Sequence, residues 1–244
     1  MSEKKVGIII QARLGSTRLP RKILLPINNK PILQIQINRL KKIKRPIYIA
    51  TTTHPQDLEI KHFSELNNLP CFMGDEENVL KRYYDCAKKF NLDVIVRITS
   101  DCPLLDVLII NKAIRIYLKE DNVNLFLSNT IERTYPRGFD FEIFSFALLE
   151  QAFFNAKEYS DLEHVTPFIW RNKLGNVLIK QFKNINVDNS KYRLTLDTEE
   201  DYILIKKLIE EYRAESLTGE EIISILVANP TLAKINQHIE QKEV

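Results

Sequence analysis

Along the first half of the chain, brief apolar runs alternate with longer stretches in which apolar positions recur every three or four residues. The run Val6-Gly7-Ile8-Ile9-Ile10 is short, rich in β-branched residues and closed by polar ones, which predicts a buried strand. From Pro31 to Lys44, Leu33, Ile37, Leu40 and Ile43 keep helical spacing with lysines and arginines between them. A second strand is predicted over Pro46–Thr51, then a helix from Asp57 to Asn67 with Asp57 as its N-cap. A short strand at Pro70–Phe72 and a helix from Glu77 to Phe90 follow. Asp93–Ile98 predicts a third clear strand, Val107–Leu118 a helix and Asn124–Ser128 another strand. Strands alternating with helices predict βαβ units, hence an α/β fold with a mainly parallel sheet and helices on both faces. Ligands of such sheets bind beyond the carboxyl ends of the strands, so chemistry is sought there.

After Thr130 the pattern changes. Thr130–Asp140 holds the turn-forming Tyr135-Pro136-Arg137-Gly138. Phe139–Phe144 predicts a strand, Ala147–Tyr159 and Leu162–Arg171 predict helices, and Val177–Phe182 a strand. Tyr192–Leu196 predicts a strand that stops at Asp197, and helices are expected over Asp201–Tyr212 and Gly219–His238. With no internal repeat and no obvious linker, we expect one domain over residues 1–244 carrying an extension at about 130–190.

Composition narrows the class. With 44% hydrophobic and 27% charged residues, the chain matches a soluble globular protein with a substantial core. Lys+Arg number 35 against 32 Asp+Glu, a net charge of +3, too small an excess for a bulk nucleic-acid binder. Cys71, Cys86 and Cys102 form no CxxC pair and have no His at metal-ligand spacing, so free thiols are expected rather than disulfides or a zinc site. The apolar stretch after Lys5 is too short for a signal peptide, and no run reaches the ~18 residues of a membrane span. The expectation is a cytoplasmic protein without membrane or nucleic-acid partners.

Three segments carry candidate chemistry. Directly after the first strand, residues Gln11 to Lys22 hold Arg13, Arg18, Arg21 and Lys22 together with Gly15, Ser16 and Thr17. Backbone N–H groups of such a loop, with guanidinium forks and an ammonium, suit a triphosphate. A solvated basic loop has the same composition, and neither GxxxxGK[ST] nor GxGxxG is present. Asp101 follows the third strand, where a carboxylate can hold Mg²⁺. An Asp before Pro also starts turns, and Asp106 is a candidate cap for the next helix. Asp197 again follows a predicted strand, where it or Thr198 can equally cap the helix beyond, with Asp201 in its first turn. Two distant carboxylates on one sheet edge, facing a basic loop, make a metal–triphosphate site chemically sensible.

The segment Ile9 to Lys22, IIQARLGSTRLPRK, resembles the signature of sugar-acid cytidylyltransferases, in particular the spore coat polysaccharide biosynthesis protein F group, which is similar to the CMP-KDO and CMP-sialic acid synthetases. Ile49–Thr52, Gly74–Leu80, Arg82–Tyr84, Arg97–Leu104, Glu163–Pro167 and Arg193–Thr198 agree in order, over roughly residues 6 to 210. The resemblance implies a three-layer α/β/α nucleotidyltransferase fold. It also implies a Mg²⁺-dependent reaction in which CTP and a sugar acid give a CMP-sugar and pyrophosphate, and a homodimer. Arg13, Arg18 and Lys22 fall on the triphosphate positions, with Gly15, Ser16 and Ser100 beside them. Ala12, Ala50 and Thr51 fall near the nucleoside positions, and Asp101 and Asp197 on the metal carboxylates. Arg13, Lys22, Asp101 and Asp197 are therefore the expected catalytic set. Where sialic-acid enzymes carry a second carboxylate, two residues before the last Asp, this chain has Thr195, which is more KDO-synthetase-like.

For the acceptor, the extension offers Tyr135, Arg137, Asp140, Glu142, His164 and Arg171. Arg137 or Arg171 could clamp a carboxylate, while Asp140 and Glu142, two apart on a strand, would face one side and accept from hydroxyls. A turn arginine, a strand-face pair and a helix-cap histidine are the plainer readings of the same residues. Phe153, Phe154, Phe168 and Trp170 read as packing or dimer contacts. Two other functions fit part of the pattern: a glycosyltransferase using a preformed nucleotide sugar, and a non-catalytic nucleotide-binding regulator. A sensor has no need to keep both Asp101 and Asp197.

Overall fold

The computed structural model describes residues 3–241. β1 (Val6–Gln11) opens the chain and leads through a loop to a small hairpin, β2 (Pro26–Ile27) and β3 (Lys30–Pro31). Then come α1 (Ile32–Leu40), β4 (Ile47–Thr52), α2 (Leu58–Leu66), β5 (Cys71–Gly74), α3 (Val79–Lys89), β6 (Val94–Thr99) and α4 (Val107–Glu120). The sheet is completed by β7 (Leu125–Ser128), β8 (Glu142–Ser145) and β9 (Leu178–Gln181), in the order β5-β4-β1-β6-β8-β7-β9. Six of these strands run parallel and β8 alone runs against them. β1 and β6 lie in register from Val6↔Val94 to Gln11↔Thr99, so both carboxyl ends open on one edge.

Alternation along β1 sets the layers. Ile8 and Ile10 face a core built with Leu33 and Ile37 of α1, Ile60 of α2 and Ile110 of α4. Ile9 faces the other core, with Leu80 and Tyr83 of α3, Leu149 of α5 (Phe146–Asn155) and Phe168 of α7 (Pro167–Trp170). The three-layer α/β/α architecture follows directly. A further apolar cluster seats α8 (Glu199–Tyr212) and α9 (Gly219–Ala228) against Ile32 and Ile35 of α1. Asp106 caps α4, accepting from Leu108 N at 2.8 Å, and its other oxygen takes Gly219 N at 2.8 Å, which ties α9 down. Among the described residues, no helix is long and apolar enough to cross a membrane.

Several expected elements differ. Tyr192–Leu196 is not a sheet strand. It makes one bridge, Arg137↔Arg193, and spends its other backbone groups on loops, with Leu194 N donating to Arg137 O at 2.6 Å and Leu196 N to Asp101 O at 2.8 Å. That close approach needs Gly138, whose φ is +102° and where a Cβ would stand 2.4 Å from the Leu194 carbonyl carbon. β8 begins only at Glu142, because the Asn129 side chain bonds Phe139 O and Phe141 N. The helix expected to run to Tyr159 ends at Asn155, and Tyr159 opens α6 (Tyr159–His164). The Leu162–Arg171 helix is broken between α6 and α7 by Val165, at φ +72°, and by Pro167. Proline likewise splits the last helix: α9 ends at Ala228 and α10 (Pro230–Ala233) restarts after Asn229.

Candidate active site

The loop after β1 is a hook around Leu14. The buried carboxylate of Asp57 accepts from Leu14 N at 2.8 Å, and Thr52 Oγ1 donates to its other oxygen. Leu14 O in turn accepts from Ser16 N at 2.8 Å and Arg21 N at 3.3 Å. Asp57 holds the N-cap position of α2, yet no side-chain cap bond is made there, because its oxygens serve the loop. Of the four loop cations Arg21 is turned outward, in the left-handed region at φ 56° and paired with Glu59. Arg13, Arg18 and Lys22 line the cavity.

Lys22 Nζ lies between two carboxylates from distant parts of the chain, 2.7 Å from Asp197 Oδ1 and 3.2 Å from Asp101 Oδ2. Asp197 Oδ2 is met by Arg193 Nη2 at 2.9 Å and Arg18 Nη2 at 3.2 Å. The Asp101 turn and the Asp197 segment are stitched together, since Leu196 N and Thr195 Oγ1 (3.2 Å) both donate to Asp101 O. Thr195 thus serves the turn that carries Asp101. Burial alone would raise the Asp101 carboxyl, but the Lys22 ammonium holds it below the ordinary carboxylate range. Burial opposes the charge on Lys22 as well, and Asp101 and Asp197 more than restore it, so its pKa rises.

Arg13, Arg18, Lys22, Asp101 and Asp197 line a cavity of about 370 Å³, together with Ala12, Gly15, Ser16, Ser100 and Arg82. Ala50 and Thr51 do not line it. They are fully buried in β4 beneath the loop, where Ala50 O accepts from Ala12 N at 3.1 Å. Arg82 on α3 is 1% exposed, donates to Asp75 O at 2.7 Å and leaves its buried Nε without a partner.

A second cavity of about 360 Å³ adjoins the first and shares Thr99 and His164 with it. Arg137, Asp140, Glu142 and Trp170 line it. Both carboxylates are already held: Asp140 by Arg133 at 2.6 and 3.0 Å, Glu142 by Arg97 at 2.7 Å and Thr166 Oγ1 at 2.9 Å. Arg137 makes no ion pair among the described residues, and burial and the nearby Arg133 lower its pKa. Burial and the guanidiniums of Arg97, Arg13 and Arg171 outweigh Glu163 and depress His164 below its ordinary 6.5. Tyr135 and Arg171 stand outside this cavity, Tyr135 stacked on Phe182 and Arg171 over the ring of Trp170. Phe153 stacks on Tyr84 at 4.2 Å and Phe168 is buried, whereas Phe154 is 68% exposed.

Asp57, Arg82, Arg97, Arg133 and Arg193 were not among the expected site residues. Arg82, Arg97 and Arg193 lie inside segments that carried the family resemblance, and that was the one signal available for them.

Cations gathered at the end of the first strand, with carboxylates brought across from two later segments, are what an enzyme handling a nucleoside triphosphate requires. Fold and cavity together place the chain among the nucleotidyltransferases. More narrowly, it belongs to the cytidylyltransferase family, whose sequence profile matches residues 7–232, and it is a CTP-dependent nucleotidyltransferase. It is 30% identical to the spore coat polysaccharide biosynthesis protein SpsF of Bacillus subtilis over 92% of this chain and 95% of that protein. The 8-amino-3,8-dideoxy-manno-octulosonate cytidylyltransferase of Shewanella loihica is 34% identical over 46% of this chain and 47% of its own. The structure of a cytidylyltransferase from Leptospira borgpetersenii superposes with a TM-score of 0.90 at 35% identity, over 99% of this chain and all of that one.

Proposed function

We propose that the protein activates a sugar acid with CTP, giving a CMP-sugar acid and pyrophosphate for surface polysaccharide or glycan synthesis. The observation that carries this reading is the pair of adjoining cavities. One gathers Arg13, Arg18 and Lys22 opposite Asp101 and Asp197, and the other presents the guanidinium of Arg137, which makes no ion pair among the described residues. Arg13, Arg18 and Lys22 would hold the β- and γ-phosphates, with Gly15, Ser16 and Ser100 bordering them and Ala12 near the nucleoside. Ala50 and Thr51 would act from below, by supporting the loop. Arg137 would clamp the acceptor carboxylate with a forked, charge-assisted pair. His164, at the junction of the cavities, would hydrogen-bond the acceptor. The acceptor hydroxyl oxygen would bond to the α-phosphorus as its proton passes to solvent, the bond from the α-phosphorus to the oxygen bridging to the β-phosphate would break, and pyrophosphate would depart onto the cationic loop. Positioning and charge stabilisation make up the protein's share of the catalysis.

Asp101 and Asp197 fit Mg²⁺. Among the described residues no group of three or more His, Cys, Asp or Glu side chains gathers, and Mg²⁺ asks for only one or two carboxylates beside phosphate oxygens and water. The ammonium of Lys22 already sits as a stand-in cation between them. Bound there, Mg²⁺ would supply charge neutralisation at the α-phosphate and a lowered pKa for the acceptor hydroxyl. A pyrophosphate-release screen of CTP against a panel of sugar acids, with the other nucleoside triphosphates as controls, tests the proposal. Release with a sugar acid and CTP is the expected result, and no release with any acid carboxylate would overturn it.

A further inference from the structure

The carboxylate of Asp201 is fully buried and accepts five hydrogen bonds. Oδ1 takes Arg193 Nε at 2.9 Å and Asn236 Nδ2 at 2.7 Å. Oδ2 takes Asp197 N at 2.9 Å, Thr198 N at 3.1 Å and Arg193 Nη2 at 3.1 Å. Capping α8 needs only the Thr198 contact, a capping box that Glu or Gln would complete as well. The other four bonds go to groups outside that helix: three tie Asp201 to the Asp197 segment and the fourth comes from Asn236.

Arg193 is consumed in the same network. Its Nη2 also reaches Asp197 Oδ2 at 2.9 Å, its Nη1 donates to Gln241 Oε1 at 2.7 Å, and its carbonyl accepts from Asn236 Nδ2 at 3.1 Å. Oδ2 of Asp197 is held by Arg193 at 2.9 Å and also met by Arg18 at 3.2 Å, and Oδ1 is the oxygen turned toward Lys22. Asn236, 2% exposed, locks both Arg193 and Asp201 from the far side. Asn236 and Gln241 lie beyond residue 232, where the match to the cytidylyltransferase profile ends.

We infer that Arg193 and Asp201, locked by Asn236, are positioning residues that present Asp197 to a metal ion through one oxygen only. This inference rests on the reading of Asp197 as a Mg²⁺ carboxylate given above. Mg²⁺ demands near-octahedral geometry, which a carboxylate free to rotate or to chelate with both oxygens serves poorly. Partners that orient a ligand are the usual means of setting metal affinity.

The test uses the full chain and Mn²⁺ as a spectroscopic probe, titrated by electron paramagnetic resonance with a non-hydrolysable CTP analogue present. Asn236→Ala should weaken Mn²⁺ by about tenfold, the range of outer-shell substitutions at metal sites. Its affinity for the analogue in EDTA should stay at the wild-type value, and turnover should recover as Mg²⁺ is raised. Arg193→Lys, which keeps the charge and loses the fork, should move the same way. Gln241→Ala removes one hydrogen bond to Arg193 and should give a smaller shift, and it serves if Asn236→Ala fails to fold. Asp197→Asn is the reference. If it weakens Mn²⁺ while the Asn236 and Gln241 variants bind like wild type, the positioning inference falls and the metal reading stands. If Asp197→Asn itself binds Mn²⁺ like wild type, both fall.

Discussion

In the nucleotide-side cavity, ion pairs join groups far apart in the chain and are shared: Lys22 serves Asp101 and Asp197 together, and Asp197 also takes Arg18 and Arg193. In the adjoining cavity, pairs are exclusive: Arg133 forks onto Asp140, and Arg97 is bound to Glu142. Shared pairs are exchangeable: on the proposed reading, incoming phosphates would take Lys22 and Arg18, and a cation would take the place of Lys22 between Asp101 and Asp197 Oδ1. Exclusive pairs are walls. They shape the second cavity, and among the described residues Arg137 there makes no ion pair. Function therefore follows from which charges are committed, and charge count alone would not separate the two sites.

The sharpest contrast between them comes from removing one carboxylate on each side. Asp101→Asn keeps the volume and leaves Lys22 with Asp197, so the melting temperature should hardly move. Pyrophosphate release should nonetheless fall by about 10³-fold, the scale of losing one preorganised electrostatic group. Wild-type turnover in that variant would remove Asp101 from the chemistry. Glu142→Ala should do the reverse to stability. It leaves the largely buried Arg97 guanidinium without its carboxylate, a loss of about 3 kcal/mol. Chemical denaturation reads this directly, and an unchanged unfolding midpoint would show that Glu142 is free to serve a ligand after all.

The same contrast governs what could be read from the sequence. Strands such as Val6–Ile10 and Asp93–Ile98 were legible because a buried face writes itself into local periodicity. Asp101 was legible from the strand end before it and from the family resemblance, and Lys22 and Asp197 mainly from the resemblance, since no sheet strand precedes Asp197. The committed pairs were not. Glu142 and Asp140 looked like open acceptors on one strand face, and nothing local announces that Arg97, 45 residues from Glu142, will claim it. Topology decides that partner. Asp57 looked like a helix cap, yet its carboxylate serves the Leu14 loop, because β4 delivers it beneath β1. Tyr192–Leu196 had strand composition, but a segment whose backbone is spent on Arg137 and Asp101 cannot join a ladder. That irregular path is what carries Asp197 to Asp101.

Arg137→Ala sharpens the acceptor side. Losing a charge-assisted contact to a carboxylate costs about 2 kcal/mol, so KM for the acceptor should rise roughly 30-fold. KM for CTP should be unchanged, because Arg137 lines the second cavity and not the first. Arg137→Lys should recover part of the loss. Equal rises in both KM values would mean that the two cavities are not separate subsites.

The smallest expected effect is the stability that Lys22 lends through charge alone. The Asp101 carboxyl is held below its ordinary 3.8, so the contribution is present above that value and lost as pH falls through the lower folded one. The Lys22 pKa is raised above 10.5, so the contribution is present below that value and lost as pH rises through the folded one. Lys22→Met should therefore lower stability by about 1 kcal/mol in mid-range pH, the scale of a partly exposed pair. The gap from wild type should close both in strong acid and in strong alkali. Melting curves of the two proteins across pH check this. A gap that survived in strong acid would assign the effect to the packing of the lysine stem, and the shared-pair account of the first cavity would lose its electrostatic basis.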